Sequence, residues 1–216
     1  EIVASDWSSD VCSSDLLLKN YLIKLKINMS KLVKVLNLSS TLGLPEYATP
    51  ESDGVDLMAC FDYEADEKRP KFKGGVVKVY NAYNELSEVL VDPSSPLILM
   101  PLCRALIPTG LKIDLPIGTR FHTSPRSGLA LKQGISIPNT PGKVDSDYHG
   151  MIYVELINFS LVPVTINHGD RIAQGSIESS EQIEWFPIGD IKEMRETERG
   201  ASGIGSSGVG IRNNGK

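Results

Sequence analysis

MIYVELINFSLVPVTINHGDRIAQGSI, residues 151–177, is the stretch whose reading decides the fold. Residues 151–158 are apolar on both faces except at Glu155, as expected of a central strand covered on both sides. Residues 162–166 alternate apolar and polar, the period of a half-buried strand. Asn167-His168-Gly169 reads as a turn, and residues 172–177 as the next strand. Upstream, Leu111-Lys112-Ile113-Asp114-Leu115 alternates in the same way. Short strands between Pro, Gly, Asn and Asp clusters define an all-β domain. The 19 Gly and 13 Pro, against 6% aromatic residues, agree with many turns and few long helices. Residues 62–74 are charged and loop-like. The stretch 75–103 admits either a hairpin or one short helix over 84–91.

The chain has 216 residues, enough for one domain that buries roughly 70% of its unfolded surface without a metal or disulfide staple. A net charge of −5 argues against a protein that coats nucleic acid. No uncharged apolar run reaches the roughly 18 residues of a membrane span. Cys12, Cys60 and Cys103 are odd in number and form no CxxC pair. They read as reduced thiols of a cytoplasmic protein, not as a disulfide framework or a zinc site. Cys60 and Cys103 are expected in the core.

The two ends read differently from the middle. Residues 1–15 are rich in Ser and Asp, and residues 16–28 use Leu, Lys, Asn, Ile and Tyr. Together, 1–28 read as a non-native or disordered leader, adapter read-through followed by translated upstream DNA, with a natural start at Met29. From Arg199 the chain is Gly- and Ser-rich, and 199–216 read as a flexible arm able to order on a phosphate.

Five polar, glycine-containing segments carry the chemistry. Ser52-Asp53-Gly54-Val55-Asp56-Leu57 comes first. In Pro125-Arg126-Ser127-Gly128-Leu129-Ala130, Arg brings a fork of donors and Gly lets backbone N–H groups approach an anion. Residues 139–150, NTPGKVDSDYHG, put turn formers, carboxylates and a Tyr into one hairpin. GDRIAQ, 169–174, and RGASGIGSSG, 199–208, complete the set.

In this order and spacing, PRSGLA, VDSDYHG and GDRIAQ resemble the trimeric dUTPase family, with LIPTGLKIDLPIG at 106–118 similar to its connecting strand. The resemblance covers most of residues 44–208. It implies a distorted jelly-roll, a homotrimer whose active sites draw on all three chains through exchange of the C-terminal arm, and hydrolysis of dUTP to dUMP and pyrophosphate. Asp145 matches the general base that activates the attacking water. Tyr148 matches the ring that packs on deoxyribose, Asn139 the reader of the uracil edge, and Lys143 and Val144 its backbone contacts. Tyr153 matches a further pocket position. Arg126, Ser127 and Gly128 match the phosphate cradle, Gln174 a phosphate contact, and Arg199, Ser206 and Ser207 the closing arm. Asp56 matches a carboxylate that reaches Mg²⁺ through water, the ion being held mainly by the substrate phosphates.

The sequence departs from the family at three places. Ile204 stands where the arm carries an aromatic that covers uracil. Asp53 stands where a small residue is usual. The connection between Asp56 and Pro108 is longer than usual, so 62–100 reads as an insertion in a domain spanning 29–198, with a protein partner as one possible role. Two other functions stand beside the first: a dCTP deaminase-like or bifunctional enzyme, whose deaminating Glu has no match here, and a nucleotide-gated regulatory protein that uses the insertion as partner surface. Asp147, Asp170 and Arg171 are expected as turn caps and an ion pair. The three histidines lack metal-ligand spacing.

Overall fold

The computed structural model describes residues 32–63 and 75–202. The chain divides into two units, one ending at Ser180 and one beginning at Glu181. Each is described by itself.

Among the described residues, the first unit has thirteen short strands and one helix. A four-stranded sheet takes the order β10-β8-β13-β2. Its strands are Gly142–Asp145 (β10), Thr119–Pro125 (β8), Arg171–Ser179 (β13) and Val55–Met58 (β2). A five-stranded sheet has the order β4-β3-β6-β11-β9, from Leu86–Val91 (β4), Gly75–Tyr80 (β3), Arg104–Pro108 (β6), Tyr153–Asn158 (β11) and Ile135–Ser136 (β9). Two strand pairs complete the unit. Lys34–Asn37 (β1) joins Leu111–Asp114 (β7), and Leu97–Leu99 (β5) joins Val164–Ile166 (β12).

Residues 84–91 are therefore not a helix. Leu86–Val91 pairs in register with Gly75–Tyr80, from Gly75↔Val91 to Tyr80↔Leu86. Of the stretch read as an insertion, residues 75–80 and 86–91 form an added hairpin on the sheet edge. Leu97 and Leu99 are core residues, and part of the stretch, 64–74, lies outside the described residues.

The strand from Tyr153 to Asn158 is central, between β6 and β9. Its Val154 and Leu156 are fully buried with Leu57, Phe61, Val77, Ile107, Ile152 and Ile172. Each such side chain contributes about 1.5–3 kcal/mol. Asn158 closes the end of this strand. It is wholly buried, and its amide donates to the Leu99 and Val162 carbonyls while its Oδ1 accepts from Ser160. The one helix, α1 (Ser127–Gln133), stops at Gly134, whose φ of 69° suits glycine and lets its N–H cap the Leu129 carbonyl.

Asp62 ties the segment at 39–41 to this unit. Its carboxylate accepts from the Ser39, Ser40 and Thr41 hydroxyls at 2.7, 2.9 and 2.8 Å, from the Ser40 and Thr41 amides and from Cys60 Sγ. Burial alone raises an aspartic acid. Here the hydrogen bonds from Ser39, Cys60, Thr41 and Ser40 outweigh burial and hold the group well below the usual carboxylate range. Burial and the neighbouring carboxylate push the Cys60 thiol up to about 11. A carboxyl depressed in the folded state adds stability fully above its ordinary value of about 3.9, and loses it as pH falls through the folded value. Asp62→Asn is expected to cost about 2 kcal/mol at pH 7. The difference in urea midpoint from the parent should narrow as pH drops below the ordinary value, and a difference independent of pH contradicts this account.

In the second unit, Ile191–Glu193 is a single turn of tight helix. Asp190 accepts from the Lys192 amide, and Glu193 returns a bond to the Asp190 amide.

Candidate active site

Strand β8 alternates between its two faces, and β13 does so from Ala173 to Ser176, after an irregularity that leaves Ile172 and Ala173 both buried. Thr119, Phe121, Thr123, Leu57, Ala173 and Gly175 point into the core. Gly175 is required there, because any Cβ would enter the Phe121 ring. The opposite face is polar throughout. One row across the sheet holds Asp145, Arg120 and Glu178, the next Lys143, His122 and Ser176, and a third Ser124, Gln174 and Asp56.

The residues expected from the sequence to form a phosphate cradle meet at one end of this face. Arg126, Ser127, Gly128 and Gln174 line a cavity of about 250 Å³ together with Leu129, Lys132 and Gln133. Ser127 and Gly128 open α1, where N–H groups have no intrahelical acceptor. Arg126 is held from below. Its Nε lies 2.9 Å from Asp56 Oδ1, and its Nη1 donates to the Arg171 carbonyl at 3.2 Å. Arg171 Nη1 donates to the other Asp56 oxygen at 3.1 Å. Asp56 thus fixes two guanidiniums, the first as a charge contact whose N–H is not aimed at Oδ1, which has no hydrogen-bond partner.

The hairpin gathers a second group. Tyr148 donates to the Met151 carbonyl at 3.0 Å and covers Gly150 so closely that no Cβ fits there. Burial, then the neighbouring Tyr63 and Tyr148, push the Tyr153 hydroxyl up to about 12. Tyr148 and Tyr153 are therefore neighbours. Asn139 Nδ2 lies beside Gly142, and Lys143, Val144 and Asp145 follow on β10. Asp145 is exposed, and among the described residues no hydrogen bond or ion pair reaches its carboxylate.

One chain does not bring these two groups together. Asp145 is opposite Arg120, whereas Arg126 lies six residues further along the same strand direction. At about 3.3 Å per residue this is roughly 20 Å. Ser127, Gly128 and Gln174 share the Arg126 end; Tyr148 belongs to the hairpin, and Tyr153 opens β11. Arg199 lies in the second unit, where its Nε donates to the Ser202 carbonyl at 2.8 Å. Ile204, Ser206 and Ser207 lie outside the described residues. Asp170 caps its turn by accepting from the Asn167 amide at 2.7 Å.

For Mg²⁺, Asp56 offers hard oxygens that guanidiniums already engage: Oδ1 is buried beside Arg126 Nε, and Oδ2 accepts from Arg171. Among the described residues no three His, Cys, Asp or Glu converge. The donor set fits an outer contact to an ion carried by phosphates, and does not make an ion cage of its own.

Sequence reading had not singled out Arg120, Glu178, Ser124, Lys132 or Gln133. The polar alternation of Arg120, His122 and Ser124 is the signal that marks the face. A larger hollow of about 540 Å³, lined by Leu131, Ser160 and Pro163 among others, touches none of the residues named from the sequence except through the end of α1.

The dUTPase family model matches residues 91–208. The chain is 38% identical over 185 residues to the deoxyuridine 5'-triphosphate nucleotidohydrolase of Dinoroseobacter shibae, covering 84% of this chain and 100% of the relative. The dUTPase of Staphylococcus bacteriophage 80alpha, solved as a mutant with dUpNHpp, matches the fold with a TM-score of 0.61 at 21% identity, over 83% of this chain and 100% of that one. The dUTPase of phage phi11 of S. aureus, solved with a structural Mg(II) ion, matches with a TM-score of 0.55 at 18% identity, over 75% of this chain and 99% of that one. The chain belongs to the dUTPase family, and its fold is that family's distorted jelly-roll. Among the described residues no helix is long and apolar enough to cross a membrane.

Proposed function

We propose that the protein is a dUTP diphosphatase that hydrolyses dUTP to dUMP and pyrophosphate, at sites completed between copies of the chain in a homotrimer. The carrying observation is the separation just described: an unpaired Asp145 on one end of the polar face and the Arg126 cradle on the other. A second copy supplies the missing half, as symmetric assembly allows.

In such a site Asp145 holds the attacking water and takes its proton, a task suited to an exposed carboxylate with no competing partner. Arg126, fixed by Asp56, offers its remaining donors to phosphate oxygens, with Ser127, the Gly128 amide and Gln174 beside it. Asn139 and the Lys143–Val144 backbone receive uracil, and the Tyr148 ring walls the sugar, with Tyr153 behind it. Mg²⁺ on the substrate phosphates supplies charge neutralisation, and Asp56 meets it through water. Arg199, Ile204, Ser206 and Ser207, on an arm reaching from another copy, cover the nucleotide. The reaction removes dUTP from the DNA precursor pool and yields dUMP for thymidylate synthesis. A cytoplasmic location and a protein partner at the 62–100 insertion belong to the same reading.

Pyrophosphate release from dUTP, dCTP, dTTP and UTP tests the function. Turnover of dUTP alone is expected; ammonia release from dCTP sinks it in favour of the deaminase. Tyr148→Ala is expected to raise UTP turnover relative to dUTP, because the wall against a 2'-hydroxyl is lost. An unchanged ratio refutes that role for Tyr148.

A further inference from the structure

We propose that Glu178 is a positioning residue for the reaction: it holds Arg120 off Asp145 and so keeps the base free of an ion pair. The inference rests on the reading of Asp145 as the base.

Asp145 is directly opposite Arg120 across β10 and β8, and Arg120 is directly opposite Glu178 across β8 and β13. Opposed residues share a face with Cβ atoms about 5 Å apart. Arg120 thus stands between two directly opposed carboxylate residues on neighbouring strands. It takes Glu178, donating from Nε at 3.2 Å and from Nη2 at 3.0 Å to Oε2. His122 Nδ1 holds the other Glu178 oxygen at 2.6 Å. The carboxylate is clamped from two positions of the same strand and faces Arg120 squarely. The hydrogen bond from Arg120, then that from His122, hold the Glu178 carboxyl below its ordinary range against desolvation.

The charged and titratable groups facing Asp145 are few. Arg120 and His122 come from β8, Glu178 from β13, Lys143 from two residues back on β10, and Asp147 from the turn that follows. Lys143 is exposed and strongly hydrated. Arg120 is the directly opposed cation, and its fork could engage a carboxylate in bidentate fashion. A guanidinium laid against Asp145 would favour the anion and make it a poorer proton acceptor. An ion pair as exposed as Arg120–Glu178 adds little stability, so the consequence of the pair lies in where it sends Arg120.

The test is the pH profile of kcat on dUTP. Glu178→Gln keeps the shape and removes the charge. Arg120 should then turn to Asp145, moving the acidic limb down by about one pH unit and lowering kcat near neutrality by about tenfold. Arg120→Gln/Glu178→Gln should return the limb to its parental position, which a merely structural role for Glu178 would not do. A limb unmoved in Glu178→Gln, or a shift that persists in the double variant, overturns the proposal. If Glu178→Gln does not fold, Glu178→Asp draws the carboxylate back by one methylene and should move the limb in the same direction; an unmoved limb there overturns it equally. Asp145→Asn is measured alongside. If it retains turnover with the same acidic limb, Asp145 is not the base and both readings fall. If it is inactive while the Glu178 variants keep the parental limb, only the role of Glu178 falls.

Discussion

Asp145→Asn is expected to lower kcat on dUTP by about 10²-fold or more, with melting temperature and dUTP affinity close to those of the parent. The side chain is exposed and, among the described residues, unpaired. Its replacement therefore leaves no buried donor or acceptor unsatisfied and opens no cavity. Strand β10 keeps its register through Gly142↔Thr123 and Val144↔Phe121, which do not depend on the carboxylate. Asparagine has the same shape but cannot accept a proton from water at neutral pH. A loss under tenfold with an unchanged pH profile would remove Asp145 from the role of base. A loss accompanied by a fall in melting temperature would mean that the hairpin needs the charge.

Truncation after Glu198 is expected to collapse turnover by about 10²-fold or more, because in the proposed reaction Arg199, Ser206 and Ser207 would supply donors to the phosphates. The melting temperature should hardly move. Among the described residues the buried hydrophobic core ends at Ala173, and residues 199–202 are not part of it. Arg199 is exposed and bonded locally, to the Ser202 carbonyl. Full activity in the truncated chain would refute the arm's role; a large drop in melting temperature would show that the arm is part of the folded body.

Much of the fold is legible in local pattern. Leu111–Asp114 alternates because one face is buried; β11, read as covered on both sides, is instead buried on the Val154, Leu156 and Asn158 face and only partly covered on the other, where Glu155 is exposed. What escaped local reading is what depends on distant partners. Leu86–Val91 fits a helix turn or a strand equally well by composition. Only pairing with Gly75–Tyr80, itself held by β6, decides it. Residues 127–133 became a helix although Ser127 and Gly128 are poor helix formers; Gly134 at its end, in the left-handed conformation, closes it. The site divides in the same way. Arg126, Gln174, Asp145 and Tyr148 stand in recognisable segments. That Asp56 anchors Arg126, or that Glu178 and Arg120 share a row with Asp145, follows from strand register alone, and register across separate segments is not written in any one of them.

The separation of Asp145 from the Arg126 cradle makes the central claim directly measurable. Asp145→Asn and Arg126→Ala chains, each inactive alone, are co-expressed with different tags, and mixed trimers are isolated and confirmed by mass. If base and cradle come from different copies, every mixed trimer, two chains of one kind and one of the other, should carry one working site among its three, or about a third of the parental activity. Activity in the mixed trimers near that level is the expected result. Mixed trimers as inactive as either parent variant would contradict it, because they would mean that each chain carries its own base and its own cradle in one self-contained site.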